Sequence, residues 1–199
     1  MIEAEWRDRL IAAARRDWET RARLVQSGEL FGGYHPEMEA VHAENAALLN
    51  EAFDAIGWTG RDKLDDEGAA AAFMILQHAI CAPAVQRRGL ELMLDAIPIG
   101  AANTMDAAYL SDRIAIFEGG EQSFGTQFDW DADGQLSPAP TRDIATLDER
   151  RASVGLPPIA DSIAEMRGRA AAEGDAPPKD LAKRRADFDA WARRVGWRA

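Results

Sequence analysis

Cysteine is almost missing from this chain: Cys81 stands alone among 199 residues. That excludes an intramolecular disulfide and any metal site built from several thiolates of one chain, and it fits a reducing, cytoplasmic setting. Long apolar runs are missing as well. The most apolar stretch, Ala69 to Ala84, is interrupted by Gln77, His78 and Pro83 and is too short and too polar to span a bilayer. The opening Met1-Ile2-Glu3-Ala4-Glu5-Trp6-Arg7-Asp8 lacks the basic start and apolar run of a secretory leader. Positive charge is in deficit, with 23 basic against 34 acidic side chains and a net charge of −11. Such a surface repels phosphate backbones and anionic headgroups, so neither nucleic acid nor membrane is an expected partner.

What is present is material for a core. Apolar residues make up 47 % of the chain, with six tryptophans and seven phenylalanines as large anchors. They recur at helical spacing nearly throughout, which predicts a mainly α fold. Helices are expected over 2–30, from Pro36 to Ile56, from the acids Asp65, Asp66 and Glu67 through to about Cys81, over the segment carrying Val85 to Ile97, and from Thr104 to Phe117. Strict alternation occurs once: Gln122, Phe124, Thr126 and Phe128 share a face, and Asp133-Gly134 is a tight-turn signal, so one β-hairpin is expected at about 122–139. Helices over 146–154 and 158–173 follow. No repeat period is visible, and the reading is one multi-helix domain over residues 1–173, a linker ending in Pro177-Pro178, and a basic amphipathic helix in 179–199. That last segment carries seven basic and three acidic residues and an apolar side of Phe188, Trp191, Val195 and Trp197, so docking on its own acidic body is expected.

Polar residues placed where apolar ones belong are the candidates for chemistry. Gln77 and His78 sit in a segment otherwise apolar, where a desolvated imidazole serves either as a catalytic base or as a hydrogen-bonded core residue. His42 and Asn45 interrupt the stripe of Met38, Val41, Leu48 and Leu49. Arg113 lies one turn from Tyr109 and Phe117; its guanidinium needs an anion, supplied by Asp112 or by a ligand. Gln122, Thr126 and Gln127 add neutral donors and acceptors. A Cys81–His78 nucleophile has no evident third group to orient it. Asp129, Asp131 and Asp133 copy half a calcium loop, but Pro140 stands where the bidentate glutamate belongs, and a hairpin turn accounts for them. His35, His42 and His78 are conceivable metal ligands, yet His35 precedes Pro36 at a helix start. Gly119-Gly120 lacks the strand and helix context of a phosphate loop. No metal is assigned, and no cofactor can be named.

The ordered set Gly33-Tyr34-His35-Pro36-Glu37-Met38-Glu39-Ala40-Val41-His42-x-x-Asn45-Ala46, Gln77-His78-Ala79, Gln86-Arg87-Arg88, Tyr109-Leu110-x-Asp112-Arg113, Gln122-x-x-Gly125-Thr126-Gln127 and Asp148-Glu149-Arg150-Arg151-x-x-x-Gly155-Leu156-Pro157-Pro158 resembles a bacterial family known only as a domain of unknown function, over roughly residues 30–168. The resemblance implies that His42, His78, Asp112, Arg113, Gln122 and Gln127 belong to the family's recurring polar set, and it brings no reaction with it. Members are usually acidic just after Gln-His-Ala, whereas this chain has Ile80-Cys81-Ala82.

Two functions are expected from these residues. The first is a polar pocket binding a small anionic or amide-bearing ligand, with hydrolase-type chemistry in which His78, His42 and Asp112 are catalytic and Arg113, Asn45, Gln77, Gln122, Thr126 and Gln127 bind the ligand. The second is a non-catalytic, acidic immunity or adaptor protein that meets a basic protein partner through charge.

Overall fold

The computed structural model describes residues 2–199. Among them, eight α-helices and one two-stranded antiparallel sheet make the fold mainly α, and the chain divides into two compact units, Met1–Asn103 and Thr104–Ala199. None of these helices is long and apolar enough to cross a membrane.

The first unit holds α1 (Ile2–Ser27), α2 (Pro36–Ile56), α3 (Arg61–His78) and α4 (Pro83–Ala96). α1 stops short of the expected residue 30 because Gly28 takes φ +76°, and Glu29–Gly32 wind as a 3-10 turn. Pro36 opens α2, and the His35 ring accepts the Glu37 backbone N–H, so this histidine is a helix cap. Asp65, Asp66 and Glu67 fall inside α3, which starts at Arg61 with Asp62 in its first turn. Asp65 breaks it at φ 56°, and its carboxylate accepts the Gly68 N–H at 3.0 Å, starting a fresh helical segment. Arg7 of α1 holds that break, with Nε 2.6 Å from Asp65 and a second nitrogen 2.7 Å from Glu67. α1 packs on α2 and α3, and α4 on α2 and α3, around Leu10, Leu24, Leu49, Phe53, Leu64, Ile75, Leu76 and Met93. Each large apolar side chain removed from water there contributes about 1.5–3 kcal/mol. A Cβ at Gly89 would meet Leu76 Cδ1 at 2.5 Å, so glycine is what lets α4 close on α3.

The second unit holds α5 (Thr104–Phe117), β1 (Phe128–Trp130), β2 (Leu136–Pro138), α6 (Leu147–Ser153), α7 (Ile159–Glu173) and α8 (Leu181–Val195). β1 and β2 pair with Phe128 opposite Pro138 and Trp130 opposite Leu136. Asp131 builds the turn, accepting the Asp133 and Gln135 N–H groups and the Ser137 hydroxyl, and Gly134 takes φ +71°. Regular strand pairing begins only at Phe128: the N–H groups of Ser123, Phe124 and Thr126 go to the Asp112 carboxylate, and Gln122 forms an isolated bridge with Thr141. The basic segment docks within this unit through aromatic packing. Phe117 lies 5.1–5.7 Å, centroid to centroid, from Phe188, Trp191 and Trp197. The Arg198 guanidinium donates to the Ile116 and Phe117 carbonyls at 2.8 Å each, satisfying the last turn of α5, and Arg184 pairs with Asp129.

Candidate functional site

The buried stripe of α1 runs Trp6, Leu10, Ala13, Ala14, Asp17, Thr20 and Leu24, with a carboxylate in the middle of it. Asp17 is 1 % exposed, and an ionised carboxylate at such depth is costly unless paired. Two imidazoles supply the pairing. Nδ1 of His78, from the last turn of α3, lies 2.9 Å from Asp17 Oδ2, and Nε2 of His42, from α2, lies 3.2 Å from the same oxygen. The two rings are 5.2 Å apart, centroid to centroid. On the far side of His42, the Tyr34 hydroxyl sits 2.7 Å from Nδ1, and the two rings stack. Burial pushes the Asp17 carboxyl up, but the adjacent imidazoles of His42 and His78 outweigh it and hold the group well below the usual carboxylate range. Burial, reinforced by neighbouring Cys81, pushes the Tyr34 phenol above its ordinary range. The Cys81 thiol lies 3.8 Å from the Glu39 carbonyl.

His78 is not enclosed as its apolar neighbours lead one to expect. The helix ends at this residue, and its side chain is 36 % exposed against 10 % for His42. Asp17 Oδ1 and His42 Nε2 are buried without a hydrogen-bond partner; Nε2 is near Oδ2 but out of line for a hydrogen bond. The three ligand atoms of Asp17, His42 and His78 lie within 4.8 Å of one another, the one such group among the described residues. His35 is occupied at the α2 cap, and the third member of this group is Asp17.

The remaining expected site residues divide between the units. In the first, Asn45 donates to the Ala13 carbonyl at 3.2 Å and accepts from Arg16 at 3.0 Å, tying α2 to α1. The backbone carbonyls of Leu76 and Gln77 accept from fully buried Gln86, which satisfies the end of α3. In the second, the Asp112 carboxylate accepts the backbone N–H groups of Ser123, Phe124 and Thr126 and the Thr126 hydroxyl, at 2.7–3.1 Å. Gln122 clasps Gln127 through the backbone N–H and carbonyl and donates to the Ala139 carbonyl. Burial lowers the Arg113 guanidinium pKa. Gln127 also lines a cavity of about 550 Å³ with Phe117, Phe128, Trp130, Arg184 and Phe188. Asp129, Asp131 and Asp133 are engaged by the hairpin turn and Arg184 rather than converging as ligands.

Three residues of consequence carry no role in the sequence reading. Asp17 is one, although an acid on an apolar stripe is the same signal that singled out His42. Tyr34 is another. The third is Arg151, 1 % exposed, which donates to the carbonyls of Phe124 and Pro157 and to the Ser162 hydroxyl at 2.5–2.6 Å.

Comparison with protein families matches residues 7–172 to a family described as "Family of unknown function (DUF6624)". No curated protein and no solved structure matches the chain.

Proposed function

We propose, for a chain that belongs to the family of unknown function DUF6624, that Asp17, His42 and His78 form a proton-transfer centre of hydrolase type acting on a small anionic or amide-bearing ligand. The observation that carries this reading is one buried carboxylate shared by two imidazoles, one of them about a third exposed. With Nδ1–H of His78 given to Asp17, the lone pair is on Nε2, at the opposite end of an accessible ring. That nitrogen takes a proton from a water or a ligand hydroxyl, and Asp17 stabilises the imidazolium that results. His42, held in place by Tyr34, flanks the same carboxylate and keeps it ionised. General base catalysis of this kind contributes about 10²–10⁴-fold in rate. A cytoplasmic location suits the lone cysteine.

A thermal-shift screen of carboxylates, phosphates and short peptides against wild type, His78→Ala and Asp17→Asn tests the reading. At least one compound should raise the melting temperature of wild type and of neither variant. Equal shifts in all three proteins would refute it. The net charge of −11 favours a second reading, an acidic protein that neutralises a basic partner; strong destabilisation of both variants with no ligand response would select it.

A further inference from the structure

We infer that Asp17, His42 and His78 also hold one divalent transition-metal ion, Zn²⁺ by the chemistry of its donors. The inference rests on the proton-transfer centre for its location. The ion and the proton contend for the same Nδ1 of His78, so loading with Zn²⁺ suppresses proton transfer there.

A single proton leaves groups at this site unmet. One proton between Asp17 and His78 satisfies one oxygen and one nitrogen, while Asp17 Oδ1 and His42 Nε2 stay buried with no hydrogen bond. The hydrogen bond to Tyr34 does not remedy this in either direction. If the Tyr34 hydroxyl donates to His42 Nδ1, the proton on Nε2 is out of line with the carboxylate 3.2 Å away. If Nδ1 donates to Tyr34, Nε2 turns a lone pair toward a carboxylate, which is repulsive unless a cation lies between them. Ligands of one ion point at a shared third position rather than at each other, and that is the off-line relation of His42 to Asp17. Donors around a tetrahedral ion with bonds of about 2.0–2.2 Å are about 3.4 Å apart. The separations of 2.9 and 3.2 Å are a few tenths shorter, and all three donor atoms fall within 4.8 Å.

Two imidazole nitrogens and one carboxylate suit Zn²⁺ and its first-row neighbours, whereas Ca²⁺ and Mg²⁺ require more oxygens. Three protein ligands also leave a fourth position for water or a ligand. The outer support is in place: a ligating histidine gives its other nitrogen to a fixed partner, as His42 does to Tyr34 at 2.7 Å.

The test uses the full chain stripped with a chelator and titrated with ZnCl₂ by calorimetry, with CoCl₂ absorption as a second reading. One ion per chain should bind wild type. His42→Ala and Asp17→Asn should weaken binding by more than 100-fold, and Tyr34→Phe, which removes an outer partner and keeps the ring, by about 10–100-fold. His35→Gln should bind as wild type does. Absence of ZnCl₂ binding to folded wild type, or unchanged affinity in both His42→Ala and Tyr34→Phe, would overturn the inference. Circular dichroism identifies a variant that fails to fold, and Tyr34→Phe then decides. The titration needs no substrate, so the two readings fail separately. No Zn²⁺ binding alongside His78-dependent ligand stabilisation rejects the ion alone; Zn²⁺ binding without such stabilisation rejects the proton-transfer centre alone.

Discussion

Substituting Asp112 by asparagine separates anchoring from chemistry in the second unit. The carboxylate is 1 % exposed and accepts three backbone N–H groups and one hydroxyl from residues 123–126. Asparagine is isosteric, but it replaces one acceptor with an NH₂ group. Turned either way, that group faces a backbone N–H, of Ser123 on one side or of Thr126 on the other. A buried donor left without an acceptor costs about 1–3 kcal/mol, and the remaining bonds fall from the charged range of about 1.5–3 toward the neutral range of about 0.5–1.5 kcal/mol. The expected loss for Asp112→Asn is therefore about 3–5 kcal/mol, a large part of a typical stability of about 5–15 kcal/mol. Urea unfolding followed by tryptophan fluorescence and circular dichroism measures it, and the melting temperature should fall by about 10 °C. A variant within about 0.5 kcal/mol of wild type, with an unchanged denaturant slope, would show that the loop does not depend on this carboxylate.

Three further outcomes follow from the same geometry. Arg151→Met should destabilise by about 3–5 kcal/mol in urea, because it strands the carbonyls of Phe124 and Pro157, and Arg151→Lys should recover less than half, since an ammonium cannot reproduce the planar fork. Deleting residues 179–199 uncovers Phe117 and removes the Arg198 bonds to the end of α5, so the melting temperature should fall and a dye that binds apolar surface should brighten. Asp17 has a lower pKa folded than unfolded, so its contribution is present above the unfolded value and is lost as pH falls through the folded one. Wild type should therefore lose stability below about pH 4 more steeply than Asp17→Asn in acid-titrated melting experiments, and parallel curves would refute the pairing.

Much of the architecture was legible in the residues because its signals are local. Pro36 and Pro83 open α2 and α4, Gly57 and Gly100 close the segments before them, and Asp133-Gly134 makes the hairpin turn, each through the backbone conformation of the residue itself. His42 and His78 were legible in the same way, as polar groups breaking an apolar pattern. Only the tertiary structure could decide what those groups meet. Asp17 is 61 residues from His78 along the chain, in a helix so rich in arginine and alanine that one acid reads as another solvated charge. Its depth follows from the face α1 turns toward α3. Arg150 and Arg151 are neighbours in one charge run, yet the carbonyls of Phe124 and Pro157 surround only the second, which is 1 % exposed. Asp112 has the chemistry of a catalytic acid and the partners of a loop anchor, and those partners come from 11 to 14 residues further along the chain. Residue type sets what a side chain can do; the packing of distant segments sets which of those things is left for it to do.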